Sequence, residues 1–412
     1  MKLLVELHMP DKIKLYLSNT TIIEFSEATQ RIYVNLEALK NNDGDETEVQ
    51  NIEQALAKAR QIYKAEQALL NILKAENLII LTGAGSSKMN NEPSGKLMSD
   101  LYSTVFAGKP DNIEDIYGTE VWLKEKVNCE ENNLETLLSR IDLFLQCYNN
   151  DLPEFTALSL WKDYILKIIK KECSFAEKAE FNSYIHRIFL NKIITKKQSH
   201  DRTKIFTLNY DTAFEKAAQE QGIILIDGFN FSSDNSFNGN FFDYDIVKRK
   251  GSRINEDNNF VNNVAHLYKL HGSVTWKEDG GKIIRHPFSV NDPIMIMPNR
   301  SKYEESYKKP FFEMMSRFQQ ELRRDIPSTL LIIGYGFGDN HINSMINEAL
   351  NKSNFNIVII TPSIPDDNTA KPFVKELLNR VKQNTVTFIG DTFNGFVETL
   401  PIPTIYKTRE FL

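Results

Sequence analysis

Leu78-Ile79-Ile80-Leu81-Thr82-Gly83-Ala84-Gly85-Ser86-Ser87 is an apolar run that breaks into two closely spaced glycines. A buried strand ending this way lets backbone N–H groups approach a phosphate, because no Cβ stands in the way and φ > 0 is open to glycine. The turn therefore points to a dinucleotide. It is not the G-x-G-x-x-G fingerprint of a dehydrogenase, since Lys88 stands where the third glycine belongs. Gly83, Ala84, Gly85, Ser86 and Ser87 are candidate cofactor-binding residues, and the chemistry has to be sought elsewhere.

Downstream of this turn, the next strongly β-like run is Lys204 to Leu208, and the stretch between is helical in pattern. Leu134, Leu137, Leu138, Ile141, Leu143 and Leu145 are closely spaced, and Phe155 to Cys173 and Phe175 to Ile194 continue at helical spacing. A helical insertion over about 88–204 follows. Strands are then expected at Ile223 to Ile226, Leu267 to Leu270, Ile294 to Met297, Thr329 to Ile333, Asn356 to Ile360 and Thr385 to Ile389. Helices are expected at Pro310 to Arg324, Asn340 to Leu350 and Pro372 to Lys382, and Ser232 to Asn263 reads as a long polar loop. Such alternation is the signature of an α/β fold: a Rossmann-like, mostly parallel sheet covered by helices. Residues 1–75 form a small N-terminal β-plus-helix extension that serves assembly or packing, and 76–412 the main domain. In the extension, β-like runs at Ile13 to Leu17, Thr21 to Phe25 and Arg31 to Asn35 precede the acidic link Asn41 to Glu48 and a helix whose stripe runs from Ala55 to Ile72.

Ligands of open α/β sheets bind beyond the carboxyl ends of the strands. Besides the first turn, three such ends stand out: Asn209-Tyr210-Asp211, His271-Gly272-Ser273, and Gly334-Tyr335-Gly336-Phe337-Gly338-Asp339. An asparagine can orient a ribose hydroxyl or water, and an imidazole, titrating near neutral pH, can accept the attacking group's proton. Asp211 is either a helix-start residue or a partner of the ribose and Asn209. Thr212 and Glu215 have capping-box spacing. Trp276 either lines a pocket or packs beneath the loop. His341 belongs to first-turn helix architecture, and His8, His186, His200, His266 and His286 are structural or exposed.

The order of these motifs resembles the sirtuin family, and more closely its bacterial sirtuin-like NAD-hydrolase branch found in anti-phage defence systems. Leu81 to Ser87 is similar to the family's first cofactor loop, Thr207-Leu208-Asn209-Tyr210-Asp211 to its T-x-N-x-D motif, and Lys269 to Ser273 to its catalytic histidine motif. Ile332 to Asp339 stands where the family has a later cofactor-contacting turn, and the resemblance covers roughly Asn77 to Phe396. It implies a Rossmann-like NAD site with Asn209 and His271 catalytic, Asp211 supporting or cofactor-binding, and Gly334, Tyr335 and Gly336 holding NAD as substrate. The expected activity is NAD+ glycohydrolysis to nicotinamide and ADP-ribose. A sensor that binds NAD or ADP-ribose without turnover is the alternative. Deacylating relatives carry a four-cysteine zinc module, and Cys129, Cys147 and Cys173 offer no pair able to form one, so no zinc or other metal is expected and the deacylase form is disfavoured; a deacylase or ADP-ribosyltransferase would require an acyl-peptide or protein acceptor to accelerate nicotinamide release. In such defence systems these subunits form homo-oligomers or act with a partner ATPase of HerA type.

Composition is that of an ordinary globular protein: 41% hydrophobic and 25% charged residues over 412 positions. A net charge of −6 argues against a nucleic-acid footprint, and the lysines at 167, 170, 171 and from Lys192 to Lys204 read as solvated faces. Glu6 interrupts any leader-like apolar start and no run is long enough to span a membrane, so a cytoplasmic protein is expected.

Overall fold

The computed structural model describes residues 12–41, 44–63, 69, 72, 75–147, 152–194, 201–248, 260–296 and 310–401. The Leu78–Leu81 run forms strand β5 (Asn77–Thr82), buried at every position. Successive side chains leave a strand on opposite faces. Ile79 and Leu81 accordingly enter one apolar core, and Leu78 and Ile80 another. A strand apolar on both faces must be covered on both, which is why parallel sheets lie between helices.

β5 pairs in parallel with β6 (Lys204–Thr207) on one side and β11 (Ser328–Ile333) on the other. Parallel pairing continues beyond β6 to β8 (Val264–Lys269) and β7 (Ile224–Ile226), and beyond β11 to β12 (Phe355–Thr361) and β13 (Val386–Gly390). Helices α8 (Phe311–Arg323), α9 (Asn340–Ala349) and α10 (Pro372–Val381) supply one core. Helices α1 (Ile52–Tyr63), α6 (Tyr184–Ile194), α7 (Ala213–Gln221) and α11 (Phe393–Thr399) supply the other. The fold is therefore a Rossmann-like α/β sandwich. Between β5 and β6 stand α2 (Met98–Phe106), α3 (Glu120–Lys126), α4 (Leu134–Cys147) and α5 (Pro153–Cys173), which close around their own core of Leu137, Ile141, Trp161 and Ile165.

The N-terminal strands β1 (Lys12–Leu17), β2 (Ile22–Ser26), β3 (Arg31–Val34) and β4 (Glu37–Ala38) form an antiparallel meander. β1 pairs antiparallel with β13, Tyr16 opposite Ile389, so the meander extends the parallel sheet to eleven strands. It occupies the row of backbone groups that β13 would otherwise present as an open edge. A polar latch fastens α1 to the same place. Arg60 donates from Nε and Nη2 to the two Asp391 oxygens at 2.7 Å each, and the Tyr63 hydroxyl donates to Oδ2 at 2.7 Å. The Asp391 side chain has no solvent exposure. Replacing Arg60 with methionine keeps the stem's packing but strips a buried carboxylate of its counter-charge. An expected loss of about 2 kcal/mol, softened by the remaining Tyr63 and Thr392 donors, can be read from urea denaturation. An unchanged midpoint would show the latch to be inert.

One expectation needs correction. Ile294 to Met297 is not a sheet strand: Met295 makes only an isolated bridge to Gly272, and Met297 lies outside the described residues. The alternation cue failed there because this segment runs back over the His271 loop, Ile296 N–H donating to the His271 carbonyl at 2.8 Å. A hairpin, β9 (Trp276–Asp279) with β10 (Lys282–Arg285), was not anticipated. The Ser232 to Asn263 loop contains a short 3-10 turn (Gly239–Asp243), while its residues 249–259 lie outside the described residues.

Candidate functional site

Chain order reverses between β5 and β11: β6 follows β5 to one side, whereas β11 begins the return on the other. Open α/β sheets bind ligands at this switch point. Thr82 pairs with Ile333, so the turns beginning at Gly83 and Gly334 leave the sheet side by side. They touch through backbone. Gly83 N–H donates to the Ile333 carbonyl and Gly85 N–H to the Gly334 carbonyl, each at 3.0 Å. A Cβ on Gly85 would stand 2.6 Å from the Gly334 Cα, and one on Gly334, whose φ is +61°, 2.5 Å from the Gly85 backbone. Ser86 and Ser87 donate their amides to Gly83 and Ala84. The glycines thus allow contact between the two turns, and the amides of Gly83, Gly85, Ser86 and Ser87 donate to carbonyls of the two turns and of β11. A positive group does reach this edge: Lys371 donates its ammonium to the Gly336 carbonyl at 2.8 Å.

Asn209 and His271 lie two positions past the paired Thr207 and Lys269, at the ends of adjacent strands. Asn209 Nδ2 donates to the Gly83 carbonyl (2.9 Å), Ser86 Oγ (3.1 Å) and Ser87 Oγ (2.8 Å). With its donor side spent on the loop, the carboxamide can offer its oxygen to a hydroxyl or water. Ser87 Oγ passes its own proton to Asp211 Oδ2 at 2.6 Å, completing a chain from the carboxamide to a buried carboxylate. Asp211 Oδ1 also accepts the Ala213 amide at 3.0 Å, so one residue both starts α7 and supports Asn209. The expected Thr212–Glu215 capping box is not formed: Thr212 makes no side-chain cap, and Glu215 Oε1 accepts from the buried Lys269 ammonium at 2.9 Å. Asp211 instead meets the Ala213 amide at the helix start, and Lys269 takes the glutamate the box would need.

His271 Nε2 lies 3.2 Å from Asp339 Oδ2, both side chains being almost fully buried. Asp339 closes the Gly334 turn and caps α9, its Oδ1 accepting the His341 and Ile342 amides at 2.9 and 3.3 Å. The Tyr335 hydroxyl braces this turn, donating toward the Asp339 carbonyl (3.0 Å) and accepting from the Asp339 amide (3.1 Å). Burial raises the pKa of the Tyr335 phenol, which keeps it a neutral donor. Asp339 was not among the sequence-stated candidates. Its position after the glycines reads locally as a helix cap, which it is, and nothing local reveals the second partner across the sheet. Trp276 is buried and packs against Phe229 with ring centroids 5.2 Å apart.

Two further histidines lie in the core. His186 sits among Phe181, Phe214 and Phe393, and its ring nitrogens have no hydrogen-bond partner among the described residues. Burial pushes its pKa down to about 4 against a weaker opposing pull from the Ser86 backbone, and burial does the same, to about 4, for His266. A folded pKa below the unfolded value means that the unfolded chain protonates first as pH falls. Stability is expected to be full above pH 6.5 and to fall between there and about pH 4, at about 1 kcal/mol per pH unit for each histidine. Urea midpoints at pH 7 and 5 check it, and His186→Leu should flatten the slope. A slope that the variant leaves unchanged counts against the assignment.

Among the described residues no group of three or more His, Cys, Asp or Glu side chains converges as a metal site, and no helix is long and apolar enough to cross a membrane. Glycine turns, a carboxamide and an imidazole at the switch point of a parallel sheet are the makings of a dinucleotide-directed α/β protein. Residues 203–387 match the family model described as SIR2-like domain. The matched stretch carries Asn209, Asp211, His271 and the Gly334 turn; the Gly83 loop precedes it. The match supports a sirtuin-like fold and points to NAD-related activity in general. No curated protein matches the chain.

Proposed function

We propose that the chain is an NAD+ glycohydrolase that cleaves the nicotinamide–ribose bond to give nicotinamide and ADP-ribose. One observation carries this: a carboxamide with its donors spent and an imidazole paired with a carboxylate stand on neighbouring strand ends beside the switch point. The dinucleotide is taken to cross the sheet edge, its nicotinamide ribose toward Asn209 and His271 and its phosphates toward the Gly83 and Gly334 turns. Water attacks the ribose C1′ as the C–N bond breaks, the electron pair neutralising the pyridinium ring. His271 takes the proton, and Asn209 fixes the hydroxyl or water. The departing ring is already a good leaving group, so this positioning is the main contribution asked of the protein.

Depletion of NAD in anti-phage defence, assembly into homo-oligomers and a HerA-type ATPase partner belong to the same proposal. Purified protein, alone and with a candidate ATPase, should release nicotinamide from NAD in a chromatographic assay. Tight NAD binding by calorimetry with no release in either setting would make the chain a sensor instead.

A further inference from the structure

We propose that Asp339 is the positioning residue of His271, and that Nδ1 of His271, not Nε2, is the atom that takes the proton. The inference rests on the hydrolase reading for its chemistry but on geometry for the assignment. A carboxylate oxygen only accepts, so the Asp339 Oδ2 atom 3.2 Å from Nε2 calls for a proton on Nε2. In a neutral imidazole the other nitrogen is then the acceptor. Neither ring nitrogen of His271 makes an aligned hydrogen bond among the described residues, so the 3.2 Å approach of the Asp339 carboxylate to Nε2 is the contact that distinguishes the two. In the reacting step one O–H bond of water breaks and the proton joins Nδ1, the oxygen bonds to C1′, and the C–N pair leaves with nicotinamide. The resulting imidazolium charge faces Asp339, and the proton passes to solvent on turnover.

The carboxylate is held for this task from several directions. Its second oxygen is fixed by the two α9 amides and its backbone by the Tyr335 hydroxyl. Phe337, at φ +52°, is a bulky residue in the left-handed region, its carbonyl taken by Asn343 Nδ2 at 3.3 Å. Such a conformation persists only where its surroundings impose it. The ionisable groups around the pair are Tyr335 from the same turn, Glu135 from α4, which acts on Tyr335, and Tyr210 beyond β6, its ring 6.5 Å from His271.

Nitrogen-15 NMR of histidine-labelled protein, with His271→Ala to assign the signal, reads the tautomer directly. The expected result in the wild type is a protonated Nε2 and a bare Nδ1; a protonated Nδ1 overturns the proposal without any variant. Asp339→Asn keeps an oxygen for the α9 amides but turns a donor toward Nε2, so the tautomer should reverse. With NAD as substrate, kcat should then fall about 10²–10⁴-fold while KM stays within about threefold. An unchanged tautomer, or a loss confined to KM, overturns the proposal. Should the wild type leave NAD intact, the tautomer and its reversal still decide the assignment, and only the hydrolase reading falls.

Discussion

His271→Ala is expected to lower nicotinamide release from NAD by about 10²–10⁴-fold, the usual worth of a positioned general base. Asn209→Ala should be comparably damaging for a different reason. Its carboxamide makes three contacts to the Gly83 loop, so alanine removes both the group that fixes the ribose or water and the strut that sets the loop against β6. The two variants separate in binding: His271→Ala should keep its affinity for NAD by calorimetry, whereas Asn209→Ala should weaken it. Asn209→Asp tests the strut alone, because it keeps an oxygen but loses the donors that reach the Gly83 carbonyl. Turnover in His271→Ala equal to the wild type would sink the catalytic assignment outright.

Gly334→Ala should be strongly destabilising. The added Cβ would stand 2.5 Å from the Gly85 backbone, and neither main chain can move without disturbing the pairing of Ile333 with Thr82. The left-handed φ of +61° adds its own penalty. Together these should cost about 3–5 kcal/mol, measured as a shift in the denaturation midpoint. Gly336→Ala, two residues on, is the control: nothing lies within 4 Å of its Cβ, and the change should stay within about 0.5 kcal/mol. If both alanines behave alike, the two turns do not depend on each other as the structure has them.

The sheet was legible because its strands are short apolar runs punctuated by turn residues, and β5 and β11 needed nothing more than that pattern. The glycines were legible as special, but their contact with each other was not. The expectation that they clear the way for a phosphate is compatible with the turn, yet their crowding comes from each other, and a contact between distant turns leaves no local trace. The same limit hid Asp339: helix capping is a local property and pairing with His271 is not. It also hid where the N-terminal strands dock, since nothing in Lys12 to Leu17 names β13 as its neighbour. Thr212 and Glu215 failed in the opposite way. Their spacing was sound, but the Glu215 carboxylate pairs with Lys269, and the Ala213 amide at the helix start is met by Asp211.

The position of β5 in the middle of the sheet also bears on how the molecule is made. Its two neighbours, β6 and β11, lie far apart in the chain, and β11 arrives with the Gly334 turn and Asp339. During synthesis, which proceeds from the N-terminus, a nascent chain that has emerged only as far as His271 has Asn209 and His271 but lacks the second turn and Asp339, the carboxylate that meets the imidazole. Its strand β5 is still open along one side, and β1 has no β13 to pair with. Bringing the two turns together and joining the meander to the parallel strands thus both wait for the chain beyond β8, so a product truncated there lacks the His271–Asp339 pair.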